Sequence, residues 1–87
     1  MENLKVSSKS DPKAVAGAIA KQFESGAQTV ELHMIGAAAV NQAAKSTAIA
    51  NSYVAASGFS LITTIGFLTV DVAGEDRTGI RFIVSKR

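Results

Sequence analysis

The chain has no cysteine and no tryptophan, and only one proline and one histidine among its 87 residues. Without cysteine there are no disulfides to staple a small scaffold and no thiolate metal centre. Stability has to come from packing, with self-association as a further route for a chain this short. The lone histidine, His33, cannot supply a His-rich metal cluster or an HxxxH pair. It follows Glu31 on the polar phase of an alternating segment, the place of a surface or partly buried residue without catalytic duty. The Walker A and GxGxxG patterns are absent, as is a nucleophile elbow, and Ser7, Ser8 and Ser10 have no base beside them. An enzyme is not expected, and neither is a cofactor. Asn41, Gln42, Lys45 and Asn51 interrupt the weakly polar stretches, so none reads as a membrane span. The first five residues, Met1 to Lys5, lack the apolar core of a secretory signal, and a cytoplasmic protein is expected.

What is present points to one folded domain. Apolar residues make up 47% of the chain, which excludes intrinsic disorder. Nine basic residues against seven acidic give a net charge of +2. That falls well short of the dense positive field of a dedicated nucleic-acid coat protein, and gives only a hint of anionic partners.

Along the chain, Leu4 and Val6 alternate with Lys5 and Ser7, predicting a first strand that ends in the loop Ser7–Ser10. Asp11-Pro12 is a helix start: proline has no amide to lose there, and Asp11 can cap free amides. Val15, Ile19 and Phe23 make the buried stripe of this helix, and Ser25-Gly26 ends it. Val30, Leu32 and Met34 predict a second strand, broken at Gly36. An alanine-rich helix runs from Ala37 to about Val54. Two β segments close the chain, about 60–72 and 79–86, joined by a turn over Ala73-Gly74-Glu75-Asp76, with Gly66 as a candidate bulge. The order β-α-β-α-β-β predicts an α/β domain of two layers (α+β): a four-stranded mixed sheet with both helices on one face and right-handed crossovers.

The segment Ile35 to Lys45 is the most informative for function. It passes from a strand through Gly36 into a helix start, where free amides and the helix dipole favour an anion. Asn41 and Lys45, four apart, extend that site along one face. The alternative is that Gly36 only permits a tight turn and the alanines only permit close packing; the local sequence leaves both open. Lys9 and Lys13 flank the first helix start, at the same end of the predicted sheet as Gly36, and Arg77 lies at the hairpin. Asp71, Glu75 and Asp76 cluster there too, as acidic residues ordinarily do in turns, and no metal site is expected. In the second helix, Val40, Ala44 and Thr47-Ala48 read as the stripe facing the sheet. Gln42, Ser46, Ile49 and Tyr53 read as a second face for a partner subunit.

Several stretches carry a family resemblance: Leu4–Ser10, Val15–Ala20, Ile35-Gly36-Ala37 with Asn41-Gln42-Ala43 and Lys45, Ala48-Ile49-Ala50, Gly74–Thr78 and Ile80–Val84. Together they resemble the stage V sporulation protein S family over essentially the whole chain. The resemblance implies a bacterial protein linked to spore development, affecting septation, engulfment and coat maturation. It also implies a fold similar to Alba, the small dimeric chromatin and RNA-binding proteins. Alba proteins contact nucleic acid through the loop after the first strand, the turn into the second helix and the closing hairpin. On this chain those regions hold Lys9, then Gly36, Asn41 and Lys45, then Arg77. Three departures weaken the inference. Ala38 stands where a second glycine is common, Asn51-Ser52 where an arginine-glycine pair is common, and Glu75 and Asp76 oppose Arg77.

The expectation is a non-enzymatic developmental regulator that binds RNA or DNA backbone as a homo-oligomer, a dimer or tetramer. Lys9, Lys13, Gly36, Asn41, Lys45 and Arg77 form its contact edge. A regulator of septation, engulfment and coat assembly acting through protein contacts is the alternative, and an anion sensor at Gly36 a third reading.

Overall fold

The computed structural model describes residues 2–87; Met1 lies outside them. The elements are β1 (Glu2–Val6), α1 (Pro12–Glu24), β2 (Thr29–Met34), α2 (Ala37–Ala55), β3 (Leu61–Val72) and β4 (Glu75–Lys86). The sheet order is β1-β2-β4-β3. β1 runs parallel to β2, while β4 is antiparallel to both β2 and β3. The expected order and two-layer mixed-sheet architecture are therefore observed.

The first helix forms for the reasons its sequence suggests. Asp11 is extended at the N-cap and its carboxylate accepts the Lys13 amide at 3.2 Å, with Pro12 opening the first turn. At the other end Gly26 has φ 105°, and the amides of Gly26 and Ala27 donate back to Phe23 and Gln22. Those two hydrogen bonds satisfy carbonyls of the last turn and reverse the chain into β2. Ala16, Ile19, Ala20 and Phe23 are buried.

Alternation sets the layer beneath. Val30, Leu32 and Met34 are buried and lie in register with Val84, Phe82 and Ile80 of β4, while Leu4 and Val6 continue the row on β1. This face carries the helices. The opposite face carries Lys5, Glu31, His33, Arg81 and Ile83, all at least partly open. Phe59, after α2, packs edge-on against Phe23 with centroids 6.4 Å apart and lies under the Lys86 ammonium.

Three local expectations are corrected. The buried stripe of α2 is Ala39, Ala43, Ser46, Ala50 and Val54. Ala44 and Ala48 are exposed, and Ser46, expected to face a partner, is fully buried and donates to the Gln42 carbonyl at 2.7 Å. α1 and α2 pack on each other, and small side chains on the facing stripe allow that approach. An alanine-rich helix has almost no hydrophobic asymmetry, so its phase follows from packing volume instead.

The closing turn is two residues, not four. Ala73 and Gly74 both have positive φ, at 54° and 83°, the backbone of a type I′ hairpin loop. Glu75 and Asp76 then pair with Val72 and Asp71, so β4 starts four residues earlier than expected. Gly66 is no bulge either, because register runs one-to-one through Gly66 and Arg81. A Cβ at Gly66 would meet only the Arg81 guanidinium, 3.9 Å away; the glycine is the seat of that side chain. β3 and β4 thus run on past the end of β2 as an arm, and the molecule measures 43 × 22 × 18 Å.

Candidate nucleic-acid interface

The loop after β1 is held internally. The Ser10 amide donates to the Ser7 carbonyl at 3.1 Å, the Ser7 amide to Ser10 Oγ at 2.9 Å, and the Lys9 amide to Ser7 Oγ at 3.2 Å. Serine hydroxyls mimic backbone partners in such turns, and this one leaves the Lys9 side chain in solvent. Gln42 Nε2 donates to the Ser10 carbonyl at 2.9 Å, spanning 32 residues of sequence. The loop bearing Lys9 is thereby tied to α2.

Lys13 and Lys45 come together. Both line a shallow groove of about 560 Å³ with Asp11, Pro12, Ala48 and Ile49. Its floor is apolar, its walls carry two ammonium groups, and Asp11 is committed to its cap. Asn41 is exposed one turn ahead of Lys45. Gly36 is the N-cap of α2, with φ 91° and no side chain bonded to the amides of the first turn. Ala37 and Ala38 beside it are exposed, which leaves the positive end of the helix open. Five of the six expected residues thus belong to the first loop and the two helices.

Arg77 stands apart. It is exposed on the arm, in register with Val70, and strand alternation puts it on the face away from the helices. The arm itself returns toward the site: Val70 to Ala73 bound a hollow of about 620 Å³ with Lys5 to Ser8 and His33 to Ile35. First loop, α2 entry and hairpin therefore meet at one end of the molecule, although none of the six residues lines that hollow.

One basic row was not anticipated. Lys5, His33 and Arg81 lie in register across β1, β2 and β4 on the open face. His33 Nε2 pairs with Glu31 Oε1 at 2.9 Å, and Arg81 Nε is buried with no hydrogen-bond partner. Each strand read alone shows these residues on its polar phase, but only register aligns them. Among the described residues, no group of acidic, histidine or cysteine side chains could hold a metal ion, and no helix is long and apolar enough to cross a membrane.

This arrangement of four strands and two helices matches Alba from Thermoplasma volcanium with a TM-score of 0.64 and 12% identity, covering 98% of each chain. The protein is of the Alba-like α+β class. Over residues 2–87 it also matches the Stage V sporulation protein S (SpoVS) family, and it belongs to that family. Membership of that family makes it a sporulation-related regulator, and neither the family nor the Alba-like fold is known for catalysis. Asn51 has a structural use here: its Oδ1 accepts the Leu61 amide at 2.9 Å, anchoring the start of β3 to an uninterrupted α2.

Proposed function

We propose that this protein binds the backbone of RNA or DNA as a homo-oligomer and regulates development through that contact. The observation that carries the reading is the groove shared by Lys13 and Lys45, beside a loop that Gln42 holds in place. Lys9, Lys13 and Lys45 supply the phosphate contacts, and the open amides after Gly36 add an uncharged anion seat. Asn41 continues the edge along α2, and Arg77 provides an outer contact from the arm. Phosphate contacts dominate such binding, so sequence preference is low. The exposed side of α2 and the last two strands serve the partner subunit, and a cytoplasmic location in a bacterial cell accords with this reading.

The test is a titration of the full chain with short RNA and DNA at several salt concentrations. Log affinity falls linearly with log salt, by about 0.9 per duplex phosphate neutralised and about 0.7 per single-strand phosphate. Replacing Lys9 and Lys45 by alanine weakens binding and flattens that slope by about two contacts' worth. No binding at low salt overturns the reading, and a curve indifferent to both changes places the contact elsewhere. The reading through protein contacts draws on Ile65 and Phe67, which are 65% and 77% exposed. It survives if nucleic acid fails to bind.

A further inference from the structure

The hollow between the arm and the ends of β1 and β2 takes no part in the contact edge described above. Its walls come from three separate segments, 5–8, 33–35 and 70–73, and it measures about 620 Å³. Small-molecule sites commonly measure about 300–1,000 Å³ and are mostly apolar, with a few polar groups that fix orientation. This hollow has that make-up. Ile35 and Val72, 38% and 39% exposed, are large apolar side chains left open by the fold, and both line it.

Its charged groups are of both signs. Lys5 lines it from β1 and Asp71 from the arm. Both are exposed, and neither joins an ion pair among the described residues. Asp71 also stands opposite Asp76 in the ladder, and like charges directly opposite destabilise a strand pair. A cationic group placed at Asp71 offsets that repulsion. His33, in the same wall, is already partnered by Glu31 at 2.9 Å. Ser8 differs from its neighbours. The hydroxyls of Ser7 and Ser10 bond within the loop, whereas that of Ser8 bonds to nothing among the described residues and lies in the wall.

A simple anion in the hollow would face Asp71, and a simple cation would face Lys5. A molecule with one charge of each sign at its ends and an apolar body satisfies both walls. We propose that the hollow binds a short apolar peptide with free ends, about two residues long. Lys5 takes its carboxylate and Asp71 its ammonium, both through charge-assisted hydrogen bonds. Ser8 takes the peptide group between them, and Ile35 and Val72 cover the side chains. An extended dipeptide spans about 7 Å, which suits two charged groups that line one hollow without pairing directly. Lys9, Lys13, Gly36, Asn41, Lys45 and Arg77 all lie outside this wall. Peptide binding and nucleic-acid binding therefore stand or fall separately.

The test is a titration of the isotope-labelled full chain with leucyl-leucine, followed by amide chemical shifts. The expected result is saturable shifts confined to 5–8, 33–35 and 70–73. N-acetyl-leucyl-leucine lacks the ammonium and leucyl-leucine amide lacks the carboxylate, and each binds at least tenfold more weakly. Lys5→Gln and Asp71→Asn each weaken leucyl-leucine at least tenfold, with amide shifts outside the hollow unchanged. Both side chains are exposed and outside the core, and the capped peptides keep the test decisive if a variant disturbs the arm. No saturable shift up to about 10 mM peptide overturns the proposal. Capped peptides that bind as tightly as the free one overturn it too, since apolar adsorption then accounts for the contact. Shifts centred on Ile65 and Phe67, or unchanged affinity in either variant, do the same.

Discussion

Phe23 and Phe67 are the same residue in two surroundings. Phe23 is 1% exposed between α1 and the sheet, whereas Phe67 is 77% exposed on β3. The first belongs to the part of the molecule where β1, β2 and the inner part of β4 lie under two helices. There, one face of every strand is covered and each apolar position is decided by water leaving it. The second belongs to the edge that continues into the arm. That region is held by backbone pairing and a two-residue turn, and Ile62, Ile65, Phe67 and Val72 have little cover within the chain. Burial governs one region and the ladder governs the other, so equal substitutions have unequal consequences.

The largest expected contrast is the pair Phe23→Ala and Phe67→Ala. Removing Phe23 costs about 3–5 kcal/mol, through lost burial and the cavity left beside Phe59. Removing Phe67 changes the stability of the isolated chain by less than about 0.5 kcal/mol. Urea denaturation at low protein concentration measures both. Equal losses would mean that the arm is packed as tightly as the core.

The junction between the two regions comes next. A Cβ on Gly79 would run into the carbonyl oxygen of Met34 and crowd Ile35, so the backbones of β4 and the end of β2 approach only because this residue is glycine. Gly79→Ala forces them apart at a cost of about 1–3 kcal/mol by thermal or chemical denaturation. An unchanged midpoint would show that the arm moves away freely.

The smallest effect has the opposite sign. Ala73 holds φ 54° at the hairpin tip, a conformation costing an L-residue about 1 kcal/mol. Ala73→Gly relieves it, and amide exchange at Val72 and Glu75 slows relative to exchange in β2. Faster exchange at the tip would contradict the type I′ geometry.

Much of the covered half was legible in the chain. Asp11-Pro12 and Gly26 bound α1 because capping is a local matter of free amides and allowed dihedrals. The alternation Val30, Leu32, Met34 predicts the buried face of β2 because strand period and burial coincide there. The failures share a cause. The phase of α2 is not legible locally because eight alanines among its 19 residues give water little preference among faces, and Ser46 enters the core because it is small and can bond to its own helix. The sequence suggests a four-residue turn because Glu75 and Asp76 are turn-prone, although Ala73-Gly74 suffices once the strands pair.

The candidate interface divides in the same way. Gly36, Asn41 and Lys45 are one local motif, visible as a glycine entry and a four-residue spacing. That Lys13 joins Lys45 depends on α1 lying against α2, and that Lys9 is held near them depends on Gln42 reaching Ser10 from 32 residues away. Lys5, His33 and Arg81 become neighbours only through register.

Local chemistry therefore determined the elements, their order, the caps and the glycine entry to α2, since dihedral preferences and alternation act over a few residues. Tertiary structure alone decided which face of the alanine helix is buried, which lysines share a groove, and that β3 ends as an unguarded edge. Those depend on volumes and registers between distant segments, which no local pattern encodes.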